Sequence, residues 1–303
     1  MSSIPIRPLR SALYLPASNQ RAIEKSRSLA ADAVIFDLED AVAPDLKAAA
    51  RANLVAAFGS SAAAGHSVSV IRVNATDSPF FDDDLDAVAT CSPDAILLPK
   101  VSSEDDVAEF ARRMETRGAQ SVPALWCMVE TAQGLTRLNG IVAAALRLRP
   151  RLACLVVGTN DIARETRVSG LEQRRYLVPW LMSAVLAAKA GGVAILDGVW
   201  NNFKDVGGFE NETRQSQMMG FDGKTLIHPS QIDFANAAFA LSTQEIEEAR
   251  AIMAAFADPA NAGRGVINME GRMVERLHLE MARRTLQIEE AIRSSVLTAQ
   301  SRK

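Results

Sequence analysis

The stretch "AVIFDLEDAVAPDLKAAAR", Ala33 to Arg51, decides the fold. Ala33, Val34, Ile35 and Phe36 are apolar without alternation, the mark of a strand buried on both faces. Asp37, Glu39 and Asp40 then crowd three acids into four positions, and Pro44–Asp45 opens a helix with Asp45 as its N-cap candidate. Like charges this close repel, so a cation, an arginine or both must offset them.

The same unit recurs outward along the chain. Apolar runs "SALYLPA" (Ser11–Ala17), "SVSVIRVN", "AILLPK", "ALWCMVE", "LACLVVG", "VAILDGV" and "KTLIHP" alternate with helix-length segments. The helices are expected near Asn19–Ala31, from Asp45, at Phe80–Thr90, from Ser103, at Thr131–Leu148, near Leu177–Ala190, near Asn211–Met219 and from Ser230. Only an irregular stretch is expected between "LACLVVG" and Leu177. Eight β/α units in about 240 residues predict an α/β chain folded as a (β/α)8 TIM barrel. The competing doubly wound sheet usually carries G-x-G-x-x-G after its first strand, which is absent; "GFDGK" lacks P-loop spacing.

The expected division is a barrel over residues 1–240 and a C-terminal helical lid extension over 241–303. In the extension, Thr243–Ala257 reads as a helix and "ADPANAGRGVINMEG" as a loop with room for a short hairpin. Arg272–Ser294 reads as a long helix with an apolar stripe of Val274, Leu277, Met281, Ile288 and Ile292 that needs a partner surface.

A net charge of −3 and no basic-helix, zinc-finger or RRM pattern argue against a nucleic-acid partner. No run of 18 apolar residues suits a membrane span, and "MSSIPIRPLR" has no apolar leader segment. Cys91, Cys127 and Cys154 are isolated and read as reduced core thiols of a cytoplasmic protein.

The ends of the proposed strands carry the chemistry: Asp37, Glu39 and Asp40; Arg72 and Asn74; Lys100; Glu130; Gly158 and Asp161; Asp197; His228. In a barrel these ends converge on one face. Glu130 and Asp161, from adjacent strands, suit Mg²⁺, which keeps waters and takes oxygen from substrate; alternatively Glu130 caps the next helix or pairs with Arg72. Arg72 is a bidentate carboxylate binder or an ion-pair partner of the acidic turn. Lys100 could form a Schiff base, although nothing marks its amine as desolvated. Asp197 and His228 read equally as structural anchors.

The motifs "RSALYLPA" (Arg10–Ala17), "DAVIFDLEDAVAPDLKAAAR" (Asp32–Arg51), "IRVN" (Ile71–Asn74), "LLPKV" (Leu97–Val101), "VETAQGL" (Val129–Leu135), "GTNDIA" (Gly158–Ala163), "GFDGKTLIHPSQI" (Gly220–Ile232) and "EGRMVE" (Glu270–Glu275) occur together. With them the chain resembles the citrate lyase β-subunit-like proteins of the HpcH/HpaI aldolase superfamily. The resemblance implies Mg²⁺-dependent making or breaking of a carbon–carbon bond in a 3-hydroxyacyl thioester, with CoA or an acyl-carrier protein as carrier, a 2-oxo acid and an acyl-CoA as partners, and a homotrimer or hexamer. By motif position it implies Glu130 and Asp161 as metal ligands and Arg72 as the contact to the substrate's carboxylate or carbonyl oxygen, beside Gly158. It implies that Asp37 and Glu39, with Asp40 and Lys100, belong to an outer ring that orients waters and Arg72. It further implies a C-terminal lid with an acid/base carboxylate, where this chain has Glu275 in place of the family's Asp. Two other departures are Arg164 after "GTNDIA" and "YLPA" for the family's F-V-P-G. Some relatives also hydrolyse the thioester. A CoA-independent class II aldolase of 4-hydroxy-2-oxo acids and a non-catalytic assembly subunit are the competing functions.

Overall fold

The computed structural model describes residues 7–59, 67–117, 122–169, 174–269 and 271–300, without the side chains of 295–300. Two compact units emerge, one over Leu9–Phe239 and one that takes in the chain from Ala240 together with Arg7 and Pro8.

The first unit is a closed barrel of eight parallel strands in sequential order. Its elements are β1 (Ser11–Pro16), α1 (Gln20–Ser26), β2 (Ala33–Asp37), α2 (Lys47–Gly59), β3 (Val68–Arg72), α3 (Phe81–Cys91), β4 (Ala95–Leu98) and α4 (Glu104–Glu115). These are followed by β5 (Ala124–Val129), α5 (Ala132–Ala145), β6 (Leu152–Val157), α6 (Thr159–Thr166), α7 (Val178–Gly191), β7 (Ala194–Asp197), α8 (Val206–Met219), β8 (Gly223–Leu226) and α9 (Ile232–Ala238). Pairing of Ala12 with Thr225 closes the ring between β1 and β8.

The two faces of each strand pack against different partners, because side chains alternate along a strand. Ala33, Ile35, Val70, Leu97, Trp126, Met128, Val156 and Leu196 point inward and fill the barrel. Val34, Ile71, Ile96 and Leu155 point outward, against Leu54, Leu85, Phe110, Leu138 and Leu181 of the helices. Both faces are dry, which is why the sequence shows runs rather than alternation.

Local signals explain most helix starts. Ser103 and Asp106 form a capping box at α4. Thr131 caps α5, its hydroxyl accepting from the Gly134 N–H at 2.9 Å. Asp45 is not an N-cap: it lies in a 3-10 turn, Pro44–Leu46, in which the proline supplies the start. The stretch expected to be irregular contains α6, and α8 begins at Val206 behind an Asp205 cap, earlier than expected.

The second unit holds α10 (Thr243–Ala257), an antiparallel hairpin of β9 (Val266–Met269) and β10 (Arg272–Glu275), and α11 (Arg276–Gln300). The long helix therefore starts later than its pattern suggests, and Glu275 closes a strand. Gly271, at φ +84°, makes the hairpin turn that residues with a Cβ resist. The buried face of α11 carries Leu279 and Ala282, packed with Ala249, Ile252, Ile267 and Val274. Leu277 and Met281 of the expected stripe are exposed instead. Glu270 lies outside the described residues.

No described helix is long and apolar enough to cross a membrane. All three cysteines are free and buried, and burial pushes the Cys91 thiol up to about 12, so it stays protonated at neutral pH.

Candidate active site

The inward parity of β2 and β3 continues past their apolar residues. Asp37 follows Ala33 and Ile35; Arg72 follows Val68 and Val70; the two are register partners. The Arg72 guanidinium forks onto Asp37, with Nε donating to Oδ1 at 2.7 Å and Nη2 to Oδ2 at 2.6 Å. Its Nη1 faces Glu39 Oε2 at 2.9 Å, and the Tyr14 ring of β1 lies 4.9 Å from its Cζ. Burial works against this cation, but Asp37 overrides burial and raises its pKa well above the arginine value. Asp37 also accepts the N–H groups of Glu39 at 2.8 Å and Ala41 at 3.0 Å, which fixes the turn that follows.

Lys100, just past β4, joins this turn. Its ammonium pairs with Glu39 and stands 3.7 Å from Asp40, whose side chain is exposed. Hydrogen bonding to Glu39 outweighs burial and raises the lysine's pKa. That charged, engaged amine does not suit a Schiff-base nucleophile. The Lys100 backbone is left-handed, φ +54°, and its N–H donates to Glu130 Oε1 at 2.7 Å. A lysine in this region is strained, which marks a local geometry imposed by its surroundings.

Glu130 follows Trp126 and Met128 into the barrel mouth and is wholly buried. It neither caps α5, which Thr131 does, nor pairs with Arg72, whose partners are Asp37 and Glu39. Its Oε2 is the one buried side-chain oxygen among the described residues with neither a hydrogen bond nor an ion pair. Burial, then the charge of Glu39, push its carboxyl up to about 8, and Asp161 adds to the rise. Gly158 lets the carboxylate pack where it does: a Cβ there would fall 2.6 Å from Glu130 Cβ and 2.7 Å from Oε2. Asp161 stands in the first turn of α6, where the helix dipole favours an anion, and pairs with the exposed Arg164.

These residues fit magnesium. A buried, unpartnered carboxylate oxygen packed against the bare Cα of Gly158, with a second carboxylate close enough to raise its pKa, is an oxygen donor set that wants a divalent cation. Among the described residues no three His, Cys, Asp or Glu gather as a closed metal cage.

The barrel thus brings together Asp37, Glu39, Asp40, Arg72, Lys100, Glu130, Gly158 and Asp161. Glu275 belongs to the second unit, exposed at the end of β10, with its N–H donating to His278 Nδ1 at 3.0 Å. Two expected strand-end residues take no part. Asp197 points outward into a buried cluster with Arg174 at 2.7 Å and Lys224 at 2.6 Å. His228 stacks on Phe203, centroids 4.6 Å apart, and caps the turn after β8. Tyr14, Met128 and Lys47 escaped sequence reasoning; only the parity of "SALYLPA" and "ALWCMVE" could have pointed Tyr14 and Met128 inward.

The chain is similar to known proteins. The family model described as HpcH/HpaI aldolase/citrate lyase matches residues 10–229. A (3S)-malyl-CoA thioesterase of Cereibacter sphaeroides is 46% identical over 285 residues, 94% of this chain and 96% of that protein. An L-malyl-CoA/beta-methylmalyl-CoA lyase of the same species is 32% identical, covering 92% of this chain and 93% of that one. A crystal structure of CitE from Mycobacterium tuberculosis with magnesium, acetoacetate and coenzyme A superposes with a TM-score of 0.71 at 29% identity, covering 93% of this chain and 98% of that one. With the family's motifs on a closed eight-stranded barrel, the chain belongs to the HpcH/HpaI aldolase/citrate lyase family.

Proposed function

We propose that this enzyme acts on a 3-hydroxyacyl-CoA of the malyl-CoA type, making or breaking its carbon–carbon bond with the help of Mg²⁺. The observation that carries the reading is the orphaned Glu130 Oε2, packed so closely on Gly158 that a Cβ there would clash with it, one strand over from Asp161. Held by Glu130 and Asp161, magnesium would supply Lewis-acid polarisation of the 2-oxo acid product or substrate. Arg72 contributes fixed positive charge to the oxygen on which negative charge develops. Asp37 and Glu39 hold the guanidinium so that no reorganisation is needed at that moment. Lys100 holds Glu130 by its backbone and Glu39 by its ammonium, which keeps the two carboxylates apart in role. In the condensing direction Glu275 takes the α-proton of the acyl-CoA and the enolate attacks the carbonyl; cleavage returns the proton to the acyl carbon.

Thioester hydrolysis is the second reading, favoured by the 46% identity to a malyl-CoA thioesterase. In it, water adds to the thioester carbonyl and the CoA thiol leaves.

The family and the exposed Leu277 and Met281 support assembly of copies into a trimer or hexamer with the extension, 241–303, as a lid. They are compatible with a cytoplasmic enzyme, and the break at Ala240 supports a barrel that ends there, as expected for the 1–240 division.

The test is an assay with malyl-, methylmalyl- and citramalyl-CoA that follows oxo-acid release and free thiol separately, with Glu130→Gln and Glu275→Gln alongside. Metal-dependent oxo-acid release lost in both variants supports the lyase. Thiol release alone establishes the hydrolase. Full activity in Glu275→Gln removes that residue as the base.

A further inference from the structure

The opening stretch carries its own counter-charge, Lys47, which the mechanism does not use. Its side chain is 5% exposed. It lies near the N-terminal end of α2, where the helix dipole disfavours a cation. Burial lowers its pKa, against the pull of Asp84, Asp37 and Glu39. A lysine placed against both effects needs compensation, and among the described residues none of its partners is a carboxylate. Its Nζ donates to Leu38 O at 2.8 Å, Glu39 O at 3.0 Å and Asn74 Oδ1 at 2.8 Å. All three donor positions of the ammonium are used.

Those acceptors are the back of the acidic turn. Capturing the carbonyls of residues 38 and 39 fixes the peptide planes between Asp37 and Asp40 and so sets where the carboxylates of Asp37 and Glu39 point. Asn74 ties the clamp to β3: its Nδ2 also donates to Leu38 O at 3.0 Å, and its N–H to Asp84 Oδ2 at 2.9 Å. Arg51, one helical turn after Lys47, holds Asp84 from the other side at 3.1 Å. The turn is thus gripped from behind by an ammonium while its side chains grip Arg72 and Lys100 in front.

We propose that Lys47 is a positioning residue of the active site, acting through the carbonyls of Leu38 and Glu39 to hold Asp37 and Glu39 in register with Arg72 and Lys100. This rests on the function proposed above for what the site does, but not for where the turn stands.

The test is Lys47→Met, which keeps most of the unbranched side chain and removes the ammonium; Lys47→Gln, which keeps a neutral donor, replaces it should the first variant not fold. Amide hydrogen exchange is read in the turn, where the N–H groups of Glu39 and Ala41 are held by Asp37, and in β5 as an internal control. Kinetics on malyl-CoA are measured in parallel. The expected result is exchange about tenfold faster in the turn with β5 unchanged. With it should come a kcat about a hundredfold lower and little change in KM. Unchanged exchange in the turn overturns the proposal. So does an equal rise in the turn and β5, which reduces Lys47 to a general stabiliser. If the parent enzyme turns over no thioester, the exchange result still decides the role of Lys47, and it is the proposed function that fails.

Discussion

Gly158→Ala isolates the metal site without touching a charge. The glycine backbone sits at φ −97° and ψ 78°, a conformation alanine also adopts, so the cost of the added methyl is one of space. The methyl carbon would lie 2.6 Å from Glu130 Cβ, 2.7 Å from its Oε2 and 3.0 Å from Met128 Cε. Ordinary contact begins at 3.4 Å, so Glu130 must retreat by about 0.8 Å. Magnesium holds its oxygens at about 2.0–2.1 Å and tolerates little deviation, so a retreat of that size detaches the ligand or twists it away. Displacing groups that orient a metal ligand costs roughly 10- to 100-fold in metal affinity. Isothermal titration of the substrate-free protein with MgCl₂ should therefore show the Kd rise by about 10- to 100-fold in Gly158→Ala, and by at least as much in Glu130→Gln. Hydrogen exchange of the barrel strands away from β5 and β6 should stay as in the parent. A Gly158→Ala protein that binds magnesium as the parent does, with Glu130 intact, would refute the assignment of the unpartnered oxygen as the metal's anchor.

Arg72→Met leaves Asp37 buried without its partner; unfolding in urea should show a loss of about 3–5 kcal/mol. Arg72→Lys keeps the charge but cannot fork onto Asp37, and should lower kcat about a hundredfold. Lys224→Met leaves Asp197 still paired with Arg174 and should cost less, about 1.5–3 kcal/mol, while kcat of the folded enzyme stays within about twofold, because that cluster faces the helices. In metal-free protein the Glu130 carboxyl binds its proton more tightly folded than unfolded. Its contribution to stability is complete below about 4.5 and is lost as pH rises through about 8. The melting temperature in EDTA should fall across that window, Glu130→Gln should flatten the fall, and added Mg²⁺ should oppose it. A melting temperature that rises across the window would contradict this.

Much of this arrangement was legible because burial leaves marks on composition. Eight two-faced apolar runs imply a barrel, and a barrel gathers strand ends, so Asp37, Arg72, Lys100, Glu130 and Asp161 could be named together before any coordinates. What burial erases is parity. A strand with one wet face advertises which residues look inward, whereas "AVIFD" and "VAILD" are apolar at every position before the acid. Both end in aspartate, yet Asp37 turns in to meet Arg72 and Asp197 turns out to meet Arg174 and Lys224. No local signal separates the two. The difference lies in which neighbour holds the countercharge: Asp37 faces an arginine at the same register on β3, while Asp197 faces a lysine at the same register on β8 and an arginine just before α7. The left-handed backbone of Lys100 was invisible for a related reason, since it is imposed by Glu130 and Glu39 from separate turns and not by residues beside it in the chain.

The acids of the opening stretch are therefore neutralised in layers. Asp37 is consumed by Arg72, Glu39 is shared between Arg72 and Lys100, and the turn's backbone is held by Lys47. That leaves Glu130 as the carboxylate whose charge the barrel does not balance. A protein that compensates each acid around a site and leaves one buried oxygen open has placed the deficit where a cation from outside must enter. Filling that deficit from within makes a sharp trial of the idea. Met128→Lys, on the same inward face of β5, would bring an ammonium to the barrel mouth. It should lower the pKa of Glu130 and abolish magnesium binding in titration, while the protein still folds. Magnesium bound as tightly as before would mean that the uncompensated charge is not what draws the metal.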